Sequence, residues 1–493
     1  MLEPARSLRT RRPRLKIAAR DASIRPSKVA SVVSAQKRGE RSAEVDADPH
    51  LCRQGRPHTS VPLWKDVPAE KWADWKWQLS NCVQSLEQLE QVIHLTPEER
   101  QGVISTSGEF QMSITPYLCA LMDPYDPSCP VRMQFVPRGA EMSGIGSGVT
   151  DSLGEDAHRV APGLVHRYPD RVLFLVNNMC ASYCRFCTRK RLTGLPNEVL
   201  PKQQIEQSLA YLRGHPEVRD VLVSGGDPLT MSDKNLEFVV SRLREIPSIE
   251  IIRFGTKMPM FLPMRITDDL VKMLAKYHPV WINTHFNHPK ELTPESRAAC
   301  ARIVNAGIPL GNQTVLLRGV NSSPRIVKEL MHQLVRNRLR PYYLFQCDNE
   351  EGLEHFRTPV ETGIEIMESL RGWTTGFAVP TFVIDLPGGG GKAPVAPNYV
   401  NALTQHKAMM RNFEGRAFQY PQPTQTDCTV RYESKWFEAG AALAAEAATQ
   451  SNPQGAPRSE GPELTVVPSH AEGATHWPLR IEDLPGGEPI PEA

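Results

Sequence analysis

From Arg171 onward, short β-branched runs alternate with amphipathic stretches. The runs are RVLFLV, DVLVSGG, IEIIRFG, VWINTHF, IPLGNQTVLL, RPYYLFQCD and PTFVIDLPGG. Between them the 3.6-residue period predicts helices over 203–213, 268–277, 323–337 and 359–370. A further helix carries Leu236, Val239, Val240 and Leu243 on one stripe, and another opens at Thr293-Pro294, where Thr caps and Pro fits the first turn. Strand–helix alternation at this spacing implies parallel strands joined by right-handed crossovers. Closure or near-closure into an α/β barrel is the expected architecture; an open doubly wound sheet is the alternative. Upstream, Trp72, Trp75, Leu79 and Cys82, then Leu86, Leu89 and Ile93, predict a helical region over 64–112.

Composition changes the picture mainly at the ends. Among 493 residues, 40% are hydrophobic and 23% charged, with a net charge of +2. This is a globular chain with no call for a polyanionic partner, and no apolar run reaches the ~20 residues of a membrane span. The first 41 residues are rich in Arg, Lys and Ser, as in a basic tail or a mitochondrial transit peptide. The last 44 are dense in Pro, Gly, Ser and Glu, as in a disordered tail. The expected organisation is a disordered basic tail (1–60), a helical N-terminal domain (61–160), the barrel (161–395), a C-terminal extension (396–445) and a disordered tail (446–493). Ten irregularly spaced cysteines do not make a secreted disulfide framework, so the cytoplasm is the expected compartment.

Polar residues cluster where predicted strands end. Ser224-Gly225-Gly226-Asp227 follows VLV, His285 ends VWINT, Asp348 ends YYLFQC and Asp385 ends TFVI, while Asn312 and Gln313 interrupt a strand. The carboxyl ends of barrel strands are where such folds build their sites. Three cysteines, Cys180, Cys184 and Cys187, follow RVLFLV within eight residues. Zinc would want a fourth ligand, for which His285 or His288 is available. A [4Fe–4S] cluster on three thiolates would keep one iron open to a non-protein ligand. Further on, PGGGGK places Lys392 after four glycines. The phosphate-loop template fails there, because Leu386 replaces its first glycine and Ala393 its Ser/Thr. A lysine on a flexible arm suits a Schiff base with pyridoxal 5′-phosphate (PLP).

The cysteine spacing and SGGDP resemble the radical S-adenosylmethionine (AdoMet) superfamily. Together with PGGGGK, and with GLVHRYPDRVLFLV, NTHFNHPKE, NQTVLLRGVN and PNYV, they resemble the lysine 2,3-aminomutase family over about 160–414. The resemblance implies a full or partial parallel barrel, a [4Fe–4S] cluster on Cys180, Cys184 and Cys187, AdoMet and PLP. It assigns Lys392 to PLP, with Arg167, Tyr168 and Arg171 toward its phosphate. Ser224, Gly225, Gly226, Asp227, His285 and Gln313 go to AdoMet. Arg189 goes to the substrate carboxylate, and Asp348 and Asp385 to the lysine ε-ammonium. Two acids at neighbouring strand ends need a cation between them, which favours lysine over glutamate or arginine.

The resemblance also implies a homo-oligomer (dimer or tetramer) and an electron donor such as flavodoxin or ferredoxin. Zinc is not expected, since Ser323 and a solitary Cys428 do not supply the family's interfacial site. A PLP-independent radical AdoMet enzyme and a zinc-stabilised nucleic-acid-binding module using the TRKR run are the rivals; near-neutral charge speaks against the second.

Overall fold

The computed structural model describes residues 54–423 and 433–450, apart from 109, 144–148, 194–197 and 405. Most of both expected tails, and Cys428, lie outside the described residues. Two compact units are present. The larger comprises the described residues up to Asn401 with Arg411–Ala417; the smaller, from 402–410 and 418 onward, carries the helix Glu433–Gln450.

The larger unit is built on a ten-stranded sheet whose spatial order follows the chain, β1 to β10. Seven strands are parallel: β3 (Arg171–Leu175), β4 (Asp220–Ser224), β5 (Ile251–Gly255), β6 (Val280–Thr284), β7 (Leu310–Leu316), β8 (Arg340–Gln346) and β9 (Thr381–Leu386). Between β3 and β9, each predicted run is a strand and each predicted stripe is a helix. Leu236, Val239, Val240 and Leu243 are fully buried along Asp233–Arg244. Thr293 Oγ1 accepts the Ser296 amide at 3.1 Å, with Pro294 in the first turn, as its sequence position requires.

Three strands of this sheet escaped the sequence pattern. At one end β1 (Arg159–Ala161) and β2 (Leu164–Tyr168) pair antiparallel onto β3; at the other, β10 (Gly391–Pro394) pairs antiparallel with β9. These short edges contain charged or small residues, so no alternation announces them. The ladders join neighbours from β1 through β10 in an open series, the partial-barrel form of the expected fold.

The strands separate two environments by their two-residue period. Val172, Phe174, Val221, Val223, Ile252 and Phe254 are buried toward the helices. Their neighbours Arg171, Leu173, Asp220, Leu222 and Arg253 line a cavity on the concave side.

The region predicted helical over 64–112 is broken into short helices, including Ala69–Trp72, Trp75–Ser80, Leu86–Glu90 and Pro97–Thr106. Asp74, Ser85 and Thr96 cap three of them, and each cap restarts the chain in a new direction. The apolar periodicity was real, but the capping residues within it punctuate the helix. This region belongs to the same unit as the barrel: Thr115 Oγ1 donates to the Phe261 carbonyl at 2.8 Å, and Tyr117 Oη lies 2.5 Å from Thr293 Oγ1. Residues 54–60, within the expected basic tail, pack as well: the Arg56 amide donates to the Ala120 carbonyl, and His58 stacks on Trp72.

Candidate active site

The cysteine loop leaves the carboxyl end of β3 and is pinned on both sides. Arg185, inside it, gives Nε and Nη2 to buried Glu141 at 2.6–3.1 Å, and the Arg185 amide donates to the Gln134 carbonyl at 2.9 Å. Cys180, Cys184 and Cys187 are all half-buried free thiols. Burial pushes the Cys184 thiol up to about 12, and the Lys257 ammonium pulls against it. Such thiols ionise when a cation shares the site, as the irons of a cluster do. Among the described residues no three His, Cys, Asp or Glu side chains converge on one ion. A cluster makes no such demand, because each thiolate binds its own iron.

The Gly-Gly pair at the end of β4 has a packing reason. A Cβ on Gly225 would stand 2.2 Å from the Asn177 carbonyl oxygen, and one on Gly226 would stand 2.1 Å from that of Met179. The pair therefore lets β4 lie flush against the chain entering the cysteine loop, which sets that loop and the turn at the end of β4 side by side. The resemblance implies a ligand beside this pair; the structure adds a backbone neighbour. Asp227, also assigned to the cofactor, is buried, and its carboxylate accepts from Thr256 Oγ1 and from the Lys257 and Leu229 amides at 2.7–3.0 Å. Those bonds make it the brace of the turn. Ser224 is buried at the end of β4. His285 sits edge-on to Phe186, with ring centroids 5.8 Å apart, and its buried Nε2 has no hydrogen-bond partner among the described residues. Burial, reinforced by Lys257, holds this imidazole well below its usual range, hence neutral and able to accept a hydrogen bond.

A cavity of about 400 Å³ brings together Arg167, Tyr168, Arg171, Arg189, Gln313, Asp385 and Lys392. The glycines before Lys392 serve a reversal: Gly388, Gly389 and Gly391 adopt φ of 65°, 84° and 93°, turning the chain back from β9 into β10. Lys392 thereby lands directly opposite Asp385, with Nζ 2.8 and 2.9 Å from its two oxygens. It is thus an edge-strand residue as well as the end of a glycine arm. Phe345 lies beneath the ammonium, 5.1 Å from ring centroid to Nζ.

Asp348, at the end of β8, feels both groups: burial, then the charge of Asp385, pushes its carboxyl up to about 7, and Lys392 opposes them. Two acids and one ammonium are therefore gathered at adjacent strand ends.

Across the cavity, the β2–β3 hairpin presents Arg167, Tyr168 and Arg171. Arg171 stacks on Tyr168 at 3.9 Å, and Arg167 Nη2 and Tyr168 Oη are buried without a hydrogen-bond partner among the described residues. A Cβ on Gly391 would meet these same two atoms at 3.3 and 3.7 Å, so the lysine strand runs past unsatisfied donors. A phosphate beside Lys392 would satisfy them, and the residues present fit PLP.

Arg189 is held by a residue the sequence reading missed. Glu155 takes its Nε and Nη2 at 2.6–3.0 Å, and Asp151 and Asp156 bind Arg191 at 3.1 and 3.0 Å. The signal was present as an acidic stretch, DSLGED, complementary to TRKR. Asp220 and Arg253, paired at 2.8 Å, and Tyr343 also line the cavity unannounced, because nothing in a strand interior tells a lumen-facing residue from an outward one.

A partial parallel barrel with three cysteines after its first parallel strand, and a glycine pair beside them, defines a radical AdoMet enzyme. The family model described as Radical SAM superfamily matches residues 174–329, and that described as Lysine-2,3-aminomutase matches 367–458. The chain is 53% identical to the L-lysine 2,3-aminomutase of Bacillus subtilis (strain 168), covering 74% of this chain and 77% of that one. It is also 53% identical to the L-lysine 2,3-aminomutase of Clostridium subterminale, covering 73% and 87%. A glutamate 2,3-aminomutase of Clostridioides difficile is 42% identical over 73% and 85%. The chain belongs to the lysine 2,3-aminomutase family, and its superfamily brings a [4Fe–4S] cluster and AdoMet.

Proposed function

We propose that this chain is an L-lysine 2,3-aminomutase that interconverts L-lysine and β-lysine by moving the amino group between C2 and C3. One observation carries the choice of substrate: Asp385 holds an ammonium at 2.8 and 2.9 Å, at present that of Lys392, and the Asp348 carboxyl at the neighbouring strand end feels the charge of both. Lys392 stands in for the side-chain ammonium of a bound lysine. Lys392 is the residue that would hold PLP; with its Nζ so engaged, Asp385 and Asp348 would be open to the substrate ammonium, one cation replacing another. The side-chain carboxylate of a glutamate would be repelled at the same place.

The remaining roles follow from position. Cys180, Cys184 and Cys187 hold three irons and leave the fourth to AdoMet. Ser224, Gly225, Gly226 and Asp227 shape the AdoMet side, with His285 and Gln313 facing it. Arg167 and Tyr168 take the PLP phosphate with donors that the described residues leave unsatisfied, Arg171, paired with Asp170, adds its charge beside them, and Arg189 orients the substrate carboxylate through the guanidinium edge that Glu155 leaves open. When bound, the cluster and AdoMet supply a hydrogen-abstracting radical, and PLP supplies a conjugated system across which nitrogen can migrate. The concave side of the sheet keeps water and small reductants from the reacting carbons.

An external one-electron donor such as flavodoxin or ferredoxin, and assembly into a dimer or tetramer, belong to the same reading. Among the described residues no helix is long and apolar enough to cross a membrane. The test is anaerobic reconstitution with iron, sulfide and PLP, followed by chromatography of products from lysine, glutamate and arginine. Conversion of lysine to β-lysine, with the others unchanged, is expected; turnover of glutamate in preference to lysine refutes the proposal.

A further inference from the structure

Lys257 is 6% exposed, a charge buried between the cysteine loop and the end of β5. It follows β5, and its amide donates to Asp227 at 2.7 Å, so its backbone is tied to the AdoMet strand end. Its side chain runs the other way, to the cysteine loop. There the ammonium lies among three aromatic faces, 4.6 Å from the ring centroid of Phe186, 5.5 Å from Phe135 and 5.6 Å from Phe261. Phe186 stands between Cys184 and Cys187. Rings that present their negative faces to an ammonium stabilise its charged form, most strongly where water is excluded.

The nearest polar contact is Gln134 Oε1 at 3.5 Å. The same amide donates Nε2 to Glu291 Oε1 at 2.6 Å, and Glu291 is fully buried. The result is a stretched pair, ammonium and carboxylate separated by one amide, with its positive end against the loop. Of the loop's own cations, Arg185 and Arg189 are each neutralised by carboxylate bonds to Glu141 and Glu155, while the Lys190 ammonium lies over the Phe110 ring, 4.1 Å from its centroid, and not over Phe186 between the cysteines.

We propose that Lys257 is the charge that sets the reduction potential of the cluster, raising it so that a one-electron donor can reduce it. In that step one external electron converts [4Fe–4S]2+ to [4Fe–4S]1+, and no bond or proton changes hands. Net charge and burial around a cluster are what move its potential. A buried cation beside one thiolate, with no carboxylate bonded directly to it among the described residues, stabilises the state with the extra electron, and burial leaves it little screened.

This inference rests on the cluster assignment above, and its test separates the two. Midpoint potentials of the reconstituted holoenzyme are measured by redox titration with electron paramagnetic resonance, for the wild type and for K257M, K257R and E291Q. Removing the charge in K257M is expected to lower the reduced-to-oxidised ratio at fixed potential roughly tenfold, a shift of about 59 mV to more negative values. K257R keeps the charge and should stay near the wild type. E291Q removes the opposing charge and should shift the midpoint upward, a readout that stands if K257M does not fold. A cluster present with an unmoved midpoint in K257M, or a downward shift in E291Q, overturns the role of Lys257. A wild type that never acquires iron–sulfur absorbance overturns the cluster assignment itself.

Discussion

Glu155 grips Arg189 along one edge of the guanidinium, with Oε1 2.6 Å from Nη2 and 2.9 Å from Nε. The opposite edge, at Nη1, is left for a second carboxylate. A lysine at position 189 would keep the charge and lose the planar fork that both partners use. Arg189→Lys is expected to cost about 1.5–3 kcal/mol of binding in the transition state, roughly a 10- to 150-fold fall in kcat/KM for lysine. Steady-state kinetics measure it, and an unchanged kcat/KM removes Arg189 from the substrate site.

Lys392→Ala is expected to abolish PLP attachment while leaving the cluster intact. Borohydride treatment of the wild type should fix PLP on the chain at Lys392, detectable by mass, and the variant should retain iron and AdoMet binding. Full activity in the variant would mark a radical AdoMet enzyme that needs no PLP.

Asp348 should impose a pH dependence of defined sign. Its carboxyl is raised to about 7 by burial and by Asp385, above the ordinary value of about 3.9. A group raised in the folded state favours folding while protonated, and that contribution is lost as pH rises through about 7. The ionised form is the one that attracts an ammonium. The KM for lysine should therefore climb as pH falls below about 7, approaching tenfold per unit. Asp348→Asn should flatten this limb, weaken lysine binding at pH 8 and raise the thermal midpoint of the substrate-free protein at that pH. A steep acid limb surviving in the variant would assign the titration elsewhere.

Glu141→Ala should unseat the cysteine loop. The carboxylate and Arg185 form a buried bidentate pair, 1% and 3% exposed, and removing one partner strands the other charge. The expected loss is about 3–5 kcal/mol in denaturant unfolding, together with a lower iron content after reconstitution. Wild-type stability would show that water reaches Arg185.

Much of this molecule was legible before any coordinates. The seven parallel strands and their helices were readable because each is long enough for its period to show and is bounded by caps or prolines. The three cysteines, Lys392, Asp348 and Asp385 could be singled out because residue type and spacing already restrict their chemistry. The short antiparallel strands β1, β2 and β10 were not readable. Three to five residues with a polar content carry no period, and they become strands because the sheet beside them offers unpaired backbone groups.

The sequence alone determined the alternation that makes the sheet, the three thiols of the cysteine loop, and the lysine and acids at the far end. Each depends on nearby residues or on side-chain chemistry. Only the tertiary structure decided that Asp385 faces Lys392 across a ladder, that Glu155 occupies one edge of Arg189, that Gly225 and Gly226 make room for backbone, and that Lys257 ends among three aromatic rings. These are contacts between segments up to 123 residues apart, as between Gln134 and Lys257. No local period encodes them, because they arise when the strands close around a shared interior.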